Sequence, residues 1–192
     1  MEVRVSPEKI SEQVLHLLEQ QGFAAAGTLK QQLGELGILV GEDTHEEQLM
    51  RNALAFHGQQ IAGWRQDIRQ DSSLTTEQKI LKRYELLSEH VQRGRFPGCL
   101  FIAACSAFPA PHHPIHQEAE KQKQASWQYT HQYLLSLETD NPTMVTDQLE
   151  LILEGCLSKL LVKRNLQDIA IARRLAEDIL QVALCRKNGA LG

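Results

Sequence analysis

Aromatic residues make up only 5% of this 192-residue sequence, and cysteine occurs four times without a Cys-x-x-Cys pair. No apolar run approaches the roughly 18 to 20 residues needed to cross a bilayer, so no membrane partner is expected. Cys99, Cys105, Cys156 and Cys185 are widely spaced in apolar helical contexts, which reads as reduced core thiols and excludes a disulfide scaffold. The opening Met-Glu-Val-Arg-Val-Ser-Pro-Glu lacks a basic stretch followed by an apolar one. A signal peptide is therefore not expected, and a cytoplasmic location is. No window alternates like a strand and no internal repeat is visible. There is also no nucleophile elbow, phosphate-cradling glycine loop or zinc-protease helix. Gly34, Gly37 and Gly41 are spaced like linker glycines, without a preceding strand. Neither an enzyme nor a cofactor is expected.

What the chain does contain is helical periodicity and an uneven charge. The overall formal charge is −4, but the first 51 residues carry nine carboxylates against Arg4, Lys9, Lys30 and Arg51, a net of −5. No Lys or Arg lies between Lys30 and Arg51.

Ser6-Pro7-Glu8 combines a hydroxyl N-cap, proline at the first helical position and an acid in the first turn. It predicts a helix to about Gln21, stopped by Gly22. A short helix begins near Thr28, with Leu29, Leu33 and Leu36 on its apolar side. Thr44-His-Glu-Glu47 reads as a capping box opening a long helix to about Gln70. Thr75-Thr-Glu-Gln78 starts another, to Gly94. Arg95-Phe-Pro-Gly-Cys-Leu-Phe-Ile-Ala-Ala-Cys-Ser-Ala-Phe108 is the most apolar and most sharply bounded run, and predicts a short helix buried on all sides, with Pro97 and Gly98 at its start. Further helices are expected from Ile115 to about Leu137, from Asn141-Pro142 to about Val162, and from about Leu166 to Cys185. The fold class is all-α, with eight or nine helices.

The Pro-Gly-Cys-Leu-Phe-Ile run between two amphipathic helices resembles the ligand-binding half of TetR-family transcriptional regulators. Leu17-Leu18-Glu-Gln-Gln-Gly22-Phe23 and Thr28-Leu29 stand where that family has the end of its first helix and the start of its second. The resemblance implies an N-terminal helix-turn-helix-like module at 1–48 and a helical ligand-binding and dimerisation domain at 49–192. In the family the third helix enters the major groove. Here Leu33-Gly-Glu-Leu-Gly-Ile-Leu-Val-Gly-Glu-Asp-Thr-His-Glu-Glu47 is a few residues too short and holds three glycines, so the recognition helix is expected to be shortened or missing.

Phosphate contacts by Lys and Arg supply much of the affinity for a duplex, and base readout needs side chains such as Arg, Asn or Gln. Thr28, Lys30, Gln31 and Gln32 are the candidate DNA contacts. Mixed aromatic and small residues on the middle helices suit a largely apolar ligand cavity. The candidates are Ile61, Trp64, Tyr84, Phe101, Cys105, Phe108, His116, Trp127 and His131, with Tyr129 beside them. The last two helices are apolar over more than one stripe, so each has a second face to bury. Homodimerisation through Leu149, Ile152, Leu153, Cys156, Leu157 and Leu160, with Ile171, Leu175 and Ile179, is expected. His112-His113-Pro-Ile-His116 is the one histidine cluster; its prolines suit a rigid hinge, and no metal is assigned to it. Two functions follow: a dimeric repressor that binds double-stranded DNA and answers to a small molecule, or a dimeric sensor or interaction protein of the same descent that no longer reads DNA.

Overall fold

The computed structural model describes residues 5–95, 98–187 and 189. Phe96 and Pro97, expected to open the apolar helix, lie outside the described residues, as do Met1 to Arg4. Among the described residues there is no strand. The elements are α1 (Pro7–Gln21), a 3-10 helix (Gly22–Thr28), α2 (Leu29–Glu35), α3 (Glu46–Gln70), α4 (Thr76–Gln92), α5 (Leu100–Ala107), α6 (Pro114–Ser136), α7 (Pro142–Val162) and α8 (Leu166–Lys187).

The helix starts follow their capping chemistry. Ser6 Oγ accepts from Lys9 N, and Asn141 Oδ1 accepts from Met144 N, each just before a proline that has no N–H to leave unpaired. Thr75 and Gln78 form a full capping box. At the other end of α1, Gly22 holds φ +65° and returns its N–H to the Leu18 carbonyl. α3 begins at Glu46, with the His45 carbonyl accepting its first amide bonds.

The chain divides into two compact units: Met1–Gly63 with Leu100–Lys123, and Trp64–Cys99 with Gln124–Gly192. α3 and α6 each contribute to both. The first unit buries Val14, Leu15, Leu17 and Leu18 of α1, Leu29 and Leu33 of α2, and Leu49, Met50, Ala53 and Leu54 of α3. The module boundary expected at residue 48 falls inside this unit.

The second unit packs α8 against both α4 and α7. Ile169, Ala172, Ala176, Leu180 and Ala183 form the inward stripe of α8, and the three alanines leave room for the neighbouring helices. Ile80, Leu81, Tyr84 and Val91 meet them from α4, and Val145, Leu149, Cys156 and Leu160 from α7. Two cross-helix ion pairs border this core: Arg173 to Glu85 at 3.3 Å and Lys159 to Asp168 at 2.8 Å.

α5 corrects the expectation of a helix buried on all sides. Leu100, Phe101 and Ala104 are buried, but Ile102 is 41% exposed and Ser106 and Ala107 are exposed. An eight-residue helix has room to bury one face, and its high apolar content does not by itself bury the other.

Candidate functional site

The first candidate region is the N-terminal module. Residues 36–45 contain turns and irregular chain but no helix, so no recognition helix follows α2. Gly37 holds φ +76°, and Ile38 N bonds back to the Leu33 carbonyl, which closes α2 tightly. Leu36 was expected on the apolar side of this helix; it sits just past the helix end and is 57% exposed. Leu39 is more exposed still, while Ile38 between them is buried.

All four candidate DNA contacts lie on or beside α2, and all make local bonds. Thr28 Oγ1 accepts from Gln32 Nε2, which also donates to Gln21 Oε1. Gln31 Nε2 donates to Glu35 Oε1 at 3.0 Å. Lys30 Nζ donates to the Glu42 carbonyl at 2.9 Å, while its backbone N–H donates to Glu46 Oε1. The exposed side-chain bonds among these are each worth about 0.5–1.5 kcal/mol and yield readily to a stronger partner. A cleft of about 220 Å³ lies against this module, lined by Ile10 and Ser11 of α1, Leu39, Val40 and Gly41 of the loop, and Leu49 and Asn52 of α3. The sequence reading did not anticipate it.

The candidate pocket residues divide between the two units. Ile61, Phe101, Cys105, Phe108 and His116 belong to the first. There the Phe108 ring meets Phe23 edge-on at 6.0 Å and stacks on His113 at 4.6 Å, and Phe101 packs on His57 at 5.3 Å. His116 Nδ1 lies 2.8 Å from the Phe108 carbonyl, which calls for a proton on Nδ1. His113 Nδ1 accepts from Ile115 N, leaving Nε2–H to face the Glu47 carboxylate at 3.4 Å. Two of the three clustered histidines thus tie the α5–α6 connection in place. Among the described residues, no three His, Cys, Asp or Glu side chains converge as a metal site.

Trp64, Tyr84, Trp127 and His131 belong to the second unit. Trp64 is 41% exposed, with its ring edge toward His90, which makes it a surface residue. Trp127 stacks on His131 at 4.4 Å and donates Nε1–H to Asp147 at 2.7 Å. Tyr84 is fully inside; burial pushes its hydroxyl up to about pKa 12.

Beside Tyr84 lies a polar cluster that the sequence reading missed. Arg83 of α4 donates from Nη1 to Glu150 Oε1 of α7 at 2.7 Å, from Nη2 to Thr130 Oγ1 of α6, and from Nε to the Ile80 carbonyl. The Thr130 and Ser126 hydroxyls donate to the two Glu150 oxygens at 2.8 and 2.9 Å. Burial alone would raise the Glu150 carboxyl, but Arg83 and the two hydroxyls outweigh it and hold the group below its ordinary value. Arg65 of α3 lies over the Tyr129 ring, 5.6 Å from its centroid. The visible signal was Glu150 itself, a carboxylate set between Leu149 and Leu151 within the apolar run 149–153.

α7 and α8 also show which apolar side chains remain outside. Leu149, Cys156 and Leu160, expected at a dimer interface, are at most 4% exposed and sit in the unit's own core. Ile152, Leu153 and Ile179 pack partly on that core, and Leu157 is half-buried. Ile171 and Leu175 do face outward, at 48% and 50%, together with Leu151, Leu161, Val162 and Val182.

No family model matches the chain. The chain is 47% identical over 190 residues to the HTH-type transcriptional regulator YjdC of Escherichia coli K12, covering 96% of this chain and 98% of that protein. The protein of the same name in Shigella flexneri matches equally. Among solved structures, a TetR transcriptional regulator from Legionella pneumophila superposes with a TM-score of 0.77 at 19% identity, over 93% of this chain and 98% of that one. A TetR-family regulator from Streptomyces coelicolor gives 0.82 at 14% identity, over 93% and 96%. The chain belongs to this family of HTH-type transcriptional regulators, and its fold is the all-α fold of TetR-family regulators. That membership does not favour the reading of a sensor that has left transcription. No helix among the described residues is long and apolar enough to cross a membrane.

Proposed function

We propose that this protein is a cytoplasmic homodimeric repressor that binds double-stranded DNA through its first 48 residues and is released from it by a small molecule held in residues 49–192. The observation that carries this reading is the 47% identity, across nearly the whole length, to a protein named as an HTH-type transcriptional regulator. The outward apolar stripe of α7 and α8 supports the dimer, because Leu151, Val162, Ile171, Leu175 and Val182 would otherwise remain in water.

The DNA contacts rest on Thr28, Lys30, Gln31 and Gln32, which share α2 and its N-terminal edge. With a net charge of −5 over residues 1–51, the module has few cations with which to release counterions from phosphate. Its binding depends on two modules acting together, which makes dimerisation a condition for affinity. A ligand that prefers one spacing of the two modules shifts the equilibrium between bound and free DNA. A mobility-shift assay at low salt, with the DNA upstream of the protein's own gene, tests the reading. A retarded band competed by unlabelled fragment supports it, and no shift at micromolar dimer removes it.

A further inference from the structure

The second unit holds two arginines around one carboxylate. Arg83 and Glu150 satisfy each other. Arg65 is left with the face of Tyr129, and among the described residues no carboxylate stands within ion-pair distance of it. Its guanidinium is a set of donors without an acceptor, set against aromatic surface. Burial, and secondarily the charge of Arg83, lowers its pKa, so the charge is held at a cost.

The neighbouring groups are short of acceptors in the same way. Tyr133 meets Tyr129 edge-on at 5.0 Å, and its buried hydroxyl has no hydrogen-bond partner among the described residues. The hydroxyl of Tyr84, next along the chain from Arg83, is likewise buried and unpaired. Tyr129 spends its own proton on the Lys79 carbonyl at 3.2 Å. Buried polar groups are normally paired, and an unpaired one costs about 1–3 kcal/mol. The Tyr133 hydroxyl and the Arg65 guanidinium, both set around the Tyr129 ring, therefore mark a place that an anionic acceptor would complete.

We propose that the small molecule sensed by this protein is a carboxylate-bearing compound with an apolar or aromatic body, whose carboxylate pairs with Arg65 and accepts from Tyr133, and whose body lies against the tyrosine rings. This rests on the ligand-sensing reading above and adds the chemical class of the ligand. The Arg83–Glu150 pair is a fixed support for the site: with Arg83 already neutralised, an incoming carboxylate is directed to Arg65.

The test uses the full-length protein with benzoate, hexanoate and neutral benzamide as probes, read by calorimetry and thermal shift. Wild type is expected to bind at least one carboxylate saturably, with benzamide at least tenfold weaker than benzoate. Arg65→Met, which keeps the length of the side chain, should lose carboxylate affinity at least tenfold while its ligand-free Tm stays unchanged or rises. Arg65→Lys should recover part of the affinity. Equal binding of benzoate and benzamide, no carboxylate binding at millimolar concentration, or a large fall in the ligand-free Tm of Arg65→Met would each overturn the proposal, the last by showing a structural role. Release of DNA by a neutral or cationic compound would leave the regulator reading standing and remove this one. Arg65-dependent carboxylate binding without any DNA binding would do the reverse.

Discussion

Arg83 and Glu150, 67 positions apart in the chain, meet as a buried ion pair at 2.7 Å that joins α4 to α7. Removing one partner of such a pair leaves a charge without compensation, at a cost of about 3–5 kcal/mol. Glu150→Ala also removes the carboxylate whose charge favours both Arg83 and Arg65. Its urea unfolding midpoint should fall accordingly, and its Tm by about 6 °C or more. A loss below about 1 kcal/mol would show that the pair is incidental to the fold.

The same pair sets a pH dependence. The Glu150 carboxyl is lower in the folded protein than in the unfolded chain, so its stabilisation is complete above the unfolded value of about 4.3 and is lost as pH falls through the folded value. Unfolding free energy measured from pH 6 downward should therefore decline in acid. Glu150→Gln should start lower and decline less steeply. Parallel curves for the two proteins would assign the acid loss to other carboxylates.

The outward stripe of α8 should control assembly without controlling folding. Leu175→Glu places a charge on an already exposed position, so it should yield a folded monomer by light scattering with wild-type helicity. Leu160→Ala removes a fully buried side chain and should instead cost about 2–5 kcal/mol while the protein still dimerises. If Leu175→Glu remains a dimer, the interface lies elsewhere.

Electrostatics should limit DNA affinity. Glu42 and Asp43 are exposed in the loop where a recognition helix would stand, and the Glu42 carbonyl receives Lys30. Glu42→Lys with Asp43→Lys changes each module by four charge units. Fluorescence anisotropy at low salt should show at least a tenfold gain in affinity, with a steeper salt dependence. An unchanged affinity would place these residues away from the duplex.

Ser6-Pro7 and Asn141-Pro142 were legible because capping is local: a few adjacent residues fix both the partner and the geometry. The 3-10 helix at Gly22–Thr28 was not legible, since Phe-Ala-Ala-Ala carries no cap and no periodicity. Leu36 misled because its spacing from Leu29 and Leu33 fits a helix, yet Gly37 ends the helix first. On α7, several apolar stripes run side by side, and periodicity alone could not tell the core stripe of Leu149, Cys156 and Leu160 from the outward one of Leu151 and Val162. The polar cluster was hidden for a different reason. Arg83, Thr130 and Glu150 come from three helices, and only the packing brings them within bonding distance.

The most direct measurement is the affinity of the full-length dimer for a labelled fragment of its upstream DNA, followed by anisotropy as salt rises from low to moderate concentration. Saturable binding is expected at low salt, with a slope shallower than that of a protein making about 6–10 phosphate contacts, since each module offers few cations. It should be lost in the monomeric Leu175→Glu variant. No binding at micromolar dimer in low salt, with the dimer intact, would contradict a DNA-binding regulator.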